Sequence, residues 1–344
     1  MQDIFREINF QLLDPERIPV AMAAWLLAGI LGMITGPMHG NANPFLWLVF
    51  DKTFGRVGGR LDKKDRAASD LFFRGFVLTM MGVVVAYGLG IFGNDAALGM
   101  PLHGGTEVVL LALTLTGGTV WFSLLQLYFA MRDKKVSKGA YFTIAQSTRT
   151  DMSGSDDYGI TRTGMSLAAR SFDKGLVAPV LWYLVVGLPG AFLYAGLAAL
   201  AWRFGKDGFT KGFGKTALAL EKLLGYVPHL LSGLLMALAG LFTPTGGMTR
   251  ALIGQLWGRE KAAYAEGGLP VTAMAFSLNV SLGGPSTDLD GSAIKRAWTG
   301  PKNATARLEQ GHLRRAIYIS VMAHLLFMVS LAGALFWAGK LFSS

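Results

Sequence analysis

Residues Leu71 to Gly93 read LFFRGFVLTMMGVVVAYGLGIFG, a run whose one charge, Arg74, stands near its start. A bilayer core takes about 20 mostly apolar residues as helix, and a long basic side chain at the end of such a run can reach the interface. The same reading extends in both directions. Ile18 to Met38 is free of charge, and Thr106 to Met131, Gly175 to Trp202, a shorter Val227 to Phe242, and Ala316 to Phe342 are further apolar runs. The composition agrees: 52% of the 344 residues are hydrophobic and 16% charged, against about 25% charged in soluble domains. Mean hydropathy is +0.41. The expected fold is an all-α polytopic membrane helix bundle, residues 1–344 as one integral domain, with about four to six membrane segments.

The chain carries no cysteine, which removes disulfides, thiolate metal sites and cysteine nucleophiles. Its net charge of +10 fits basic loops held on the cytosolic side of an inner membrane better than nucleic-acid binding. No basic cluster interleaved with aromatics stands on a soluble module. Lys52, Arg56, Arg60, Lys63, Lys64 and Arg66 follow the first run, and Arg132, Lys134, Lys135 and Lys138 follow the third. Residues 94–104 contain no Lys or Arg. The first and third loops are thus expected in the cytosol and the second outside. Simple alternation would then put Arg203, Lys206, Lys211, Lys215 and Lys222 outside. Gly187, Pro189 and Gly190 interrupt the fourth run, and proline tends to kink or end a helix. One or two re-entrant segments would return these loops to the cytosol, with the broken backbone covered by protein or a wet cavity.

Two stretches are long enough to hold chemistry: 132–174, expected as a polar cytosolic loop, and 244–315, expected as a cytosolic loop region with a short buried helix over Met274 to Leu282. No two histidines stand at i, i+4 with an acidic partner, and there is no Walker-type loop. Gly55, Gly58 and Gly59 read as an interfacial helix or turn sooner than a phosphate cradle. His324, inside the last run, reads as a neutral ring bonded to a neighbouring helix. Asp156-Asp157, among Gly and Ser, reads as a solvated turn.

Several ordered segments resemble the CobD/CbiB family of cobalamin-biosynthesis membrane proteins. They are Asn43–Arg60 (NPFLWLVFDKTFGRVGGR), Asp173–Tyr194 (DKGLVAPVLWYLVVGLPGAFLY), Leu223–Ala239 (LLGYVPHLLSGLLMALA), Gly267–Ala275 (GGLPVTAMA) and Leu282–Pro285 (LGGP). The resemblance implies an enzyme that joins aminopropanol, usually as its phosphate, to a carboxylate of adenosylcobyric acid. ATP and Mg²⁺ would activate that carboxylate, the bilayer would be the surroundings and a corrinoid the ligand. No protein partner is implied.

The polar positions depart from the family pattern more than the apolar ones. Asn43-Pro44-Phe45 stands for His-Pro-Val. Ala169 and Arg170 stand for Glu-Asn, with Asp173 retained. Ala198, Ala199, Leu200 and Ala201 stand for Asn-Thr-Leu-Asp, and Glu266-Gly-Gly-Leu-Pro-Val271 for Asn-Ala-Gly-x-Pro-Glu. Arg149-Thr150-Asp151 echoes Arg-Asp-Thr. Alanine supplies neither metal ligand nor hydrogen bond. The expectation is a family member whose catalysis is lost or altered. An active synthase with a relocated polar set, or a membrane regulator like AmpE, are the alternatives. The candidate ligand-binding residues are Asn43, Arg149, Asp151, Asp173, Glu266, Gly283, Gly284 and Ser286, with Asp173 also a candidate metal ligand. Asp173, Arg149 and Asp151 are expected near the Gly283-Gly284 turn. A helix cap for Asp173 and plain tight turns for the glycines are the structural alternatives.

Overall fold

The computed structural model describes residues 14–63, 65–100, 102–133, 138–206, 212–243, 247–289, 291–294 and 296–343. It is an all-α polytopic bundle. Among the described residues three helices are long and apolar enough to cross a membrane: α1 (Arg17–Thr35), α4 (Ala68–Leu98) and the last helix, α15 (Gln310–Ser343), over Gln310–Ala338. Between α1 and α4 lie α2 (Phe45–Phe50), a π-helical turn (Asp51–Gly55) and α3 (Arg56–Leu61). The Gly55, Gly58 and Gly59 cluster is therefore helical.

The run Thr106 to Met131, expected as one span, is two helices, α5 (His103–Ala112) and α6 (Gly118–Arg132). The break lets α6 approach α1 closely: a Cβ on Gly118 would sit 1.9 Å from the Gly29 carbonyl oxygen. Backbone groups freed at the break are paired inside the protein. Leu46 N–H donates to the Leu113 carbonyl (3.0 Å), and Thr116 N–H to that of Gly175 (2.8 Å). An unpaired amide there would be costly.

The segment 132–174 is also not a loop. It carries α7 (Lys138–Thr148), a two-residue strand β1 (Thr150–Asp151) and α8 (Asp157–Phe172). Helix α8 has an apolar face built from Ile160, Leu167 and Ala168, all buried, so its polar residues form only the other side. A second π-helical turn (Asp173–Val177) continues into α9 (Ala178–Val186) and α10 (Leu188–Phe204). Gly187 separates the two at φ 80°, and the Arg17 guanidinium donates to the Tyr183 and Leu184 carbonyls at the end of α9 (3.4 Å each). Helix α10 is apolar all round apart from Arg203, and it is buried from Leu188 to Trp202 except at Pro189 and Leu193. Gly82, Ala86 and Gly90 of α4, spaced by four, let it pack closely; a Cβ on Gly90 would lie 2.5 Å from Pro189 Cα.

Beyond it, α11 (Lys215–Leu224) and α12 (Tyr226–Ala239) form a pair bent by 65°, the latter extended by a 3₁₀ turn (Gly240–Phe242). Counted as one broken span, the pair makes four. Lys211 lies outside the described residues. The segment 244–315 holds α13 (Met248–Trp257) and a 3₁₀ turn (Tyr264–Glu266). Next comes the buried α14 (Gly268–Leu278), and then β2 (Leu282–Gly283), β3 (Ser286–Asp288), β4 (Ala293–Ile294) and β5 (Trp298–Thr299). The strands pair antiparallel, β1-β3-β4 in one small sheet and β2-β5 in another. Inside α15, His324 Nδ1 bonds its own helix at the Ser320 carbonyl (2.7 Å), and the ring packs against Trp121 (4.8 Å) and Phe172 (4.9 Å) of neighbouring helices.

Candidate functional site

Arg149 ends α7 in the left-handed region (φ 51°), turning the chain into β1. β1 pairs with β3, Thr150 opposite Asp288 and Asp151 opposite Thr287. That pairing brings the loop 151–156 beside the Gly283-Gly284-Pro285 turn. Gly283 (φ 79°) and Gly284 (φ 86°) both require glycine, and a Cβ on Gly284 would meet the Trp298 ring at 2.8 Å. Asp151 accepts from Ser153 N–H (2.9 Å), and Asp156 caps α8 by accepting from Gly159 N–H (2.7 Å). Together with one face of α8 these two loops enclose a polar cavity of about 600 Å³. Asp151, Asp156, Arg162, Ser166, Gly283, Gly284, Ser286 and Arg296 line it.

A smaller chamber of about 30 Å³ adjoins it, sharing Thr163, Ser166 and Arg296 and adding Arg170, Lys206 and Glu266. Such a volume holds about one water. Burial, with the Arg296 charge nearby, lowers Arg170 to about 10. Burial lowers Lys206 to about 7 against the pull of Asp288, whose carboxylate lies 3.1 Å away. Burial raises Glu266, opposed by Arg296 at 3.9 Å. Among the described residues, Arg296 Nε and Ser286 Oγ are buried with no hydrogen-bond partner. Buried polar atoms rarely stay unpaired, and leaving one so costs about 1–3 kcal/mol. Both side chains line the larger cavity, which points to a ligand group that accepts from them.

The sequence candidates separate into groups. Asp151, Gly283, Gly284 and Ser286 meet in the large cavity, and Glu266 joins through the small one. Arg149 lies behind it, stacked over Trp202 (5.6 Å) and 3.8 Å from Asp288. Asn43 lies apart. Its amide donates to the Ser147 carbonyl (2.9 Å), and it lines a separate cavity of about 150 Å³ beside α1. Trp202 Nε1 (2.9 Å) and Arg170 (3.0 Å) donate to the same Ser147 carbonyl.

Asp173 lines neither chamber. It is 1% exposed, bonded to His229 Nδ1 (2.5 Å) and Ser232 Oγ (3.0 Å). Leu269 N–H donates to His229 Nε2 (3.0 Å), so that nitrogen is an acceptor and the proton sits on Nδ1, donated to Asp173. Each carboxylate oxygen of Asp173 thus carries one hydrogen bond within the protein, and among the described residues no group of three His, Asp or Glu stands ready for a metal. Asp151 and Asp156 are the carboxylates on the large cavity.

Next to Asp173 a second buried set is equally complete. Glu221 accepts from Lys174 (3.0 Å), Tyr194 (2.9 Å) and Tyr264 (2.8 Å). Sequence reasoning missed Arg162, Ser166, Lys206 and Arg296, and set Asp156 aside as a turn. A signal was present for some of them. Arg162, Ser166 and Arg170 repeat at four-residue spacing, which puts them on one helical face.

The fold and site define a multi-pass membrane helix bundle with a polar cavity made by two loops and one helix face. The chain belongs to the CobD/CbiB family: the match to the CobD/Cbib protein family spans residues 25–320. Curated relatives agree. "Cobalamin biosynthesis protein CobD" of Brucella melitensis is 25% identical over 308 residues, 84% of this chain and 92% of the relative. The protein of that name from Rhodobacter capsulatus is 27% identical over 275 residues, 76% of this chain and 84% of the relative. A "probable cobalamin biosynthesis protein CobD" of Pyrococcus abyssi is 25% identical over 211 residues, covering 61% and 68%. No solved structure matches the chain at a significant level.

Proposed function

We propose that this protein binds the family's phosphate-bearing amino alcohol, and with it a corrinoid carboxylate, in the large cavity, and that it does not form the amide at the rate of an intact family enzyme. One observation carries the proposal. The Arg149-Thr150-Asp151 segment, an echo of the family's Arg-Asp-Thr, and Leu282-Gly-Gly-Pro285 meet at one cavity with buried unbonded donors, whereas four of the replaced positions are sealed in the core. Ala169 (0% exposed), Ala198 (1%), Ala201 (7%) and Val271 (2%) lie among packed apolar groups, with no room there for a ligand.

In the cavity, Arg296 and Ser286 donate to phosphate oxygens and Arg162 adds positive charge. Asp151 and Asp156 would hold Mg²⁺, which when bound neutralises phosphate charge. The cavity and the basic loops sit on the cytosolic side of an inner membrane. The shared Lys/Arg content of these loops supports that placement.

A second reading, an active synthase with a relocated polar set, is favoured by the same two aspartates. Complementation separates the two: the chain is expressed in a cell lacking its own family enzyme, with cobyric acid as the sole corrinoid. No growth above the empty vector is expected, with the protein present in the membrane. Growth that Asp151→Asn abolishes would establish the synthase instead. For orientation, a single cysteine at the exposed Lys302 should resist an impermeant thiol reagent in intact cells, and labelling from outside would reverse the assignment.

A further inference from the structure

A groove of about 660 Å³ runs along the outer side of α4, far in composition from the polar cavity. Phe54, Val57 and Leu61, from the π-helical turn and α3, form one wall; Phe73, Val77 and Met81 of α4 form the other. Three of these six are exposed by more than half: Phe73 65%, Met81 57% and Val57 52%. Helix α4 is a candidate span with a mean hydropathy of 2.0 over its apolar window, so the groove opens toward lipid. From Asp70 to Met81 it follows α4 for about 16 Å, at 1.5 Å per residue. That reaches from the interface well into one leaflet.

The mouth is basic. Residues 51–66 hold six Lys or Arg against three Asp. Asp51 lies 3.3 Å from Arg203, and Asp70 is engaged by Arg66 (2.9 Å) and Arg74 (2.8 Å). Asp51 and Asp70 are thus already paired, while Arg56 and Arg60, on the helix α3 that forms one wall, are exposed. An apolar slot along a span with a cationic rim matches a lipid with a chain and a negative head.

We propose that this groove is a binding site for one anionic phospholipid, its acyl chain between α3 and α4 and its phosphate at Arg56 and Arg60. Each basic residue near a membrane surface contributes about 1 kcal/mol toward anionic lipid, so two give a preference of about tenfold or more over a zwitterionic lipid. A second copy of the chain on the same face is the competing occupant.

The test uses the full chain in mild detergent, stripped of lipid and then titrated with phosphatidylglycerol or phosphatidylcholine of equal chain length. Native mass spectrometry reads the occupancy. One phosphatidylglycerol should be retained, with a preference of about tenfold. Arg56→Gln with Arg60→Gln should bring the two lipids within about twofold, and Val77→Trp, which fills the slot, should lose both. Equal retention of the two lipids by the unaltered chain would overturn the proposal. So would retention unchanged in Val77→Trp, or a dimer that this variant dissociates without affecting lipid. The arginine pair is on the surface and keeps the test readable if Val77→Trp does not fold.

Discussion

Two regions of this protein bury charged and polar side chains, and they differ in one respect. Around Asp173 each group has found its partner: Asp173 with His229 and Ser232, and Glu221 with Lys174, Tyr194 and Tyr264. Around the Gly283-Gly284 turn, Arg296 Nε and Ser286 Oγ are buried with no hydrogen-bond partner among the described residues, Glu266 standing 3.9 Å from that nitrogen. Burial and polarity are common to both, so neither marks a ligand site by itself. Unsatisfied hydrogen-bonding capacity beside an open volume does. On the function proposed above, the region that keeps the family's aspartate is scaffold and the region made by loops is the one that binds.

The contrast breaks most sharply in the sealed region. Lys174→Met leaves Glu221, 0% exposed, as a buried charge without its cation, and such a loss typically costs about 3–5 kcal/mol. Thermal unfolding in detergent should show the largest drop of any variant named here. Replacing the pair together, Lys174→Met with Glu221→Gln, should recover part of it. A single variant as stable as the parent would mean that the ion pair is not structural.

In the open region Gly284→Ala places a Cβ at φ 86°, 2.8 Å from Trp298. Strain of this kind costs about 1–3 kcal/mol, and the turn that walls the cavity must shift. Ligand affinity should fall more than the melting temperature does. If stability falls and affinity holds, the turn does not shape the site.

A smaller effect comes from pH. Lys206 sits at about 7, so it is charged below that value and neutral above it. Affinity for a phosphate ligand should decline from pH 6 to pH 8 by up to about tenfold, and Lys206→Met should flatten the curve. The folded protein holds this proton less tightly than the unfolded chain, whose lysine has the ordinary value of 10.5. Its contribution to stability therefore rises with pH from about 7 toward 10.5. A pH dependence that Lys206→Met leaves unchanged would exclude Lys206 from the anion's surroundings.

The helical membrane architecture was legible because spans announce themselves: Leu71 to Gly93 has the length and polarity of one, and α4 covers it. The run Thr106 to Met131 misled because hydropathy records composition and is blind to a Gly-Gly pair that lets two helices touch. The segment 132–174 misled for the opposite reason. Helix α8 is polar on one face, and the polar face was read as the whole. Asp151, Gly283, Gly284 and Ser286, which contiguous motifs nominate, do share one cavity. Arg296 and Lys206 are not nominated, since strand pairing and a loop bring them from distant positions. For Asp173, a carboxylate retained in a familiar segment says nothing of the histidine that packs on it from α12.

The most direct measurement compares one variant from each region for binding of aminopropanol phosphate to the purified full-length protein, with the melting temperature read alongside. Arg296→Gln should weaken binding by about tenfold or more, the usual weight of a hydrogen bond from a charged group, and leave melting nearly unchanged. Ser232→Ala should lower melting and leave the affinity as it was. The account is contradicted if the unaltered protein does not bind the ligand, if Arg296→Gln keeps its affinity, or if Ser232→Ala loses affinity at an unchanged melting temperature.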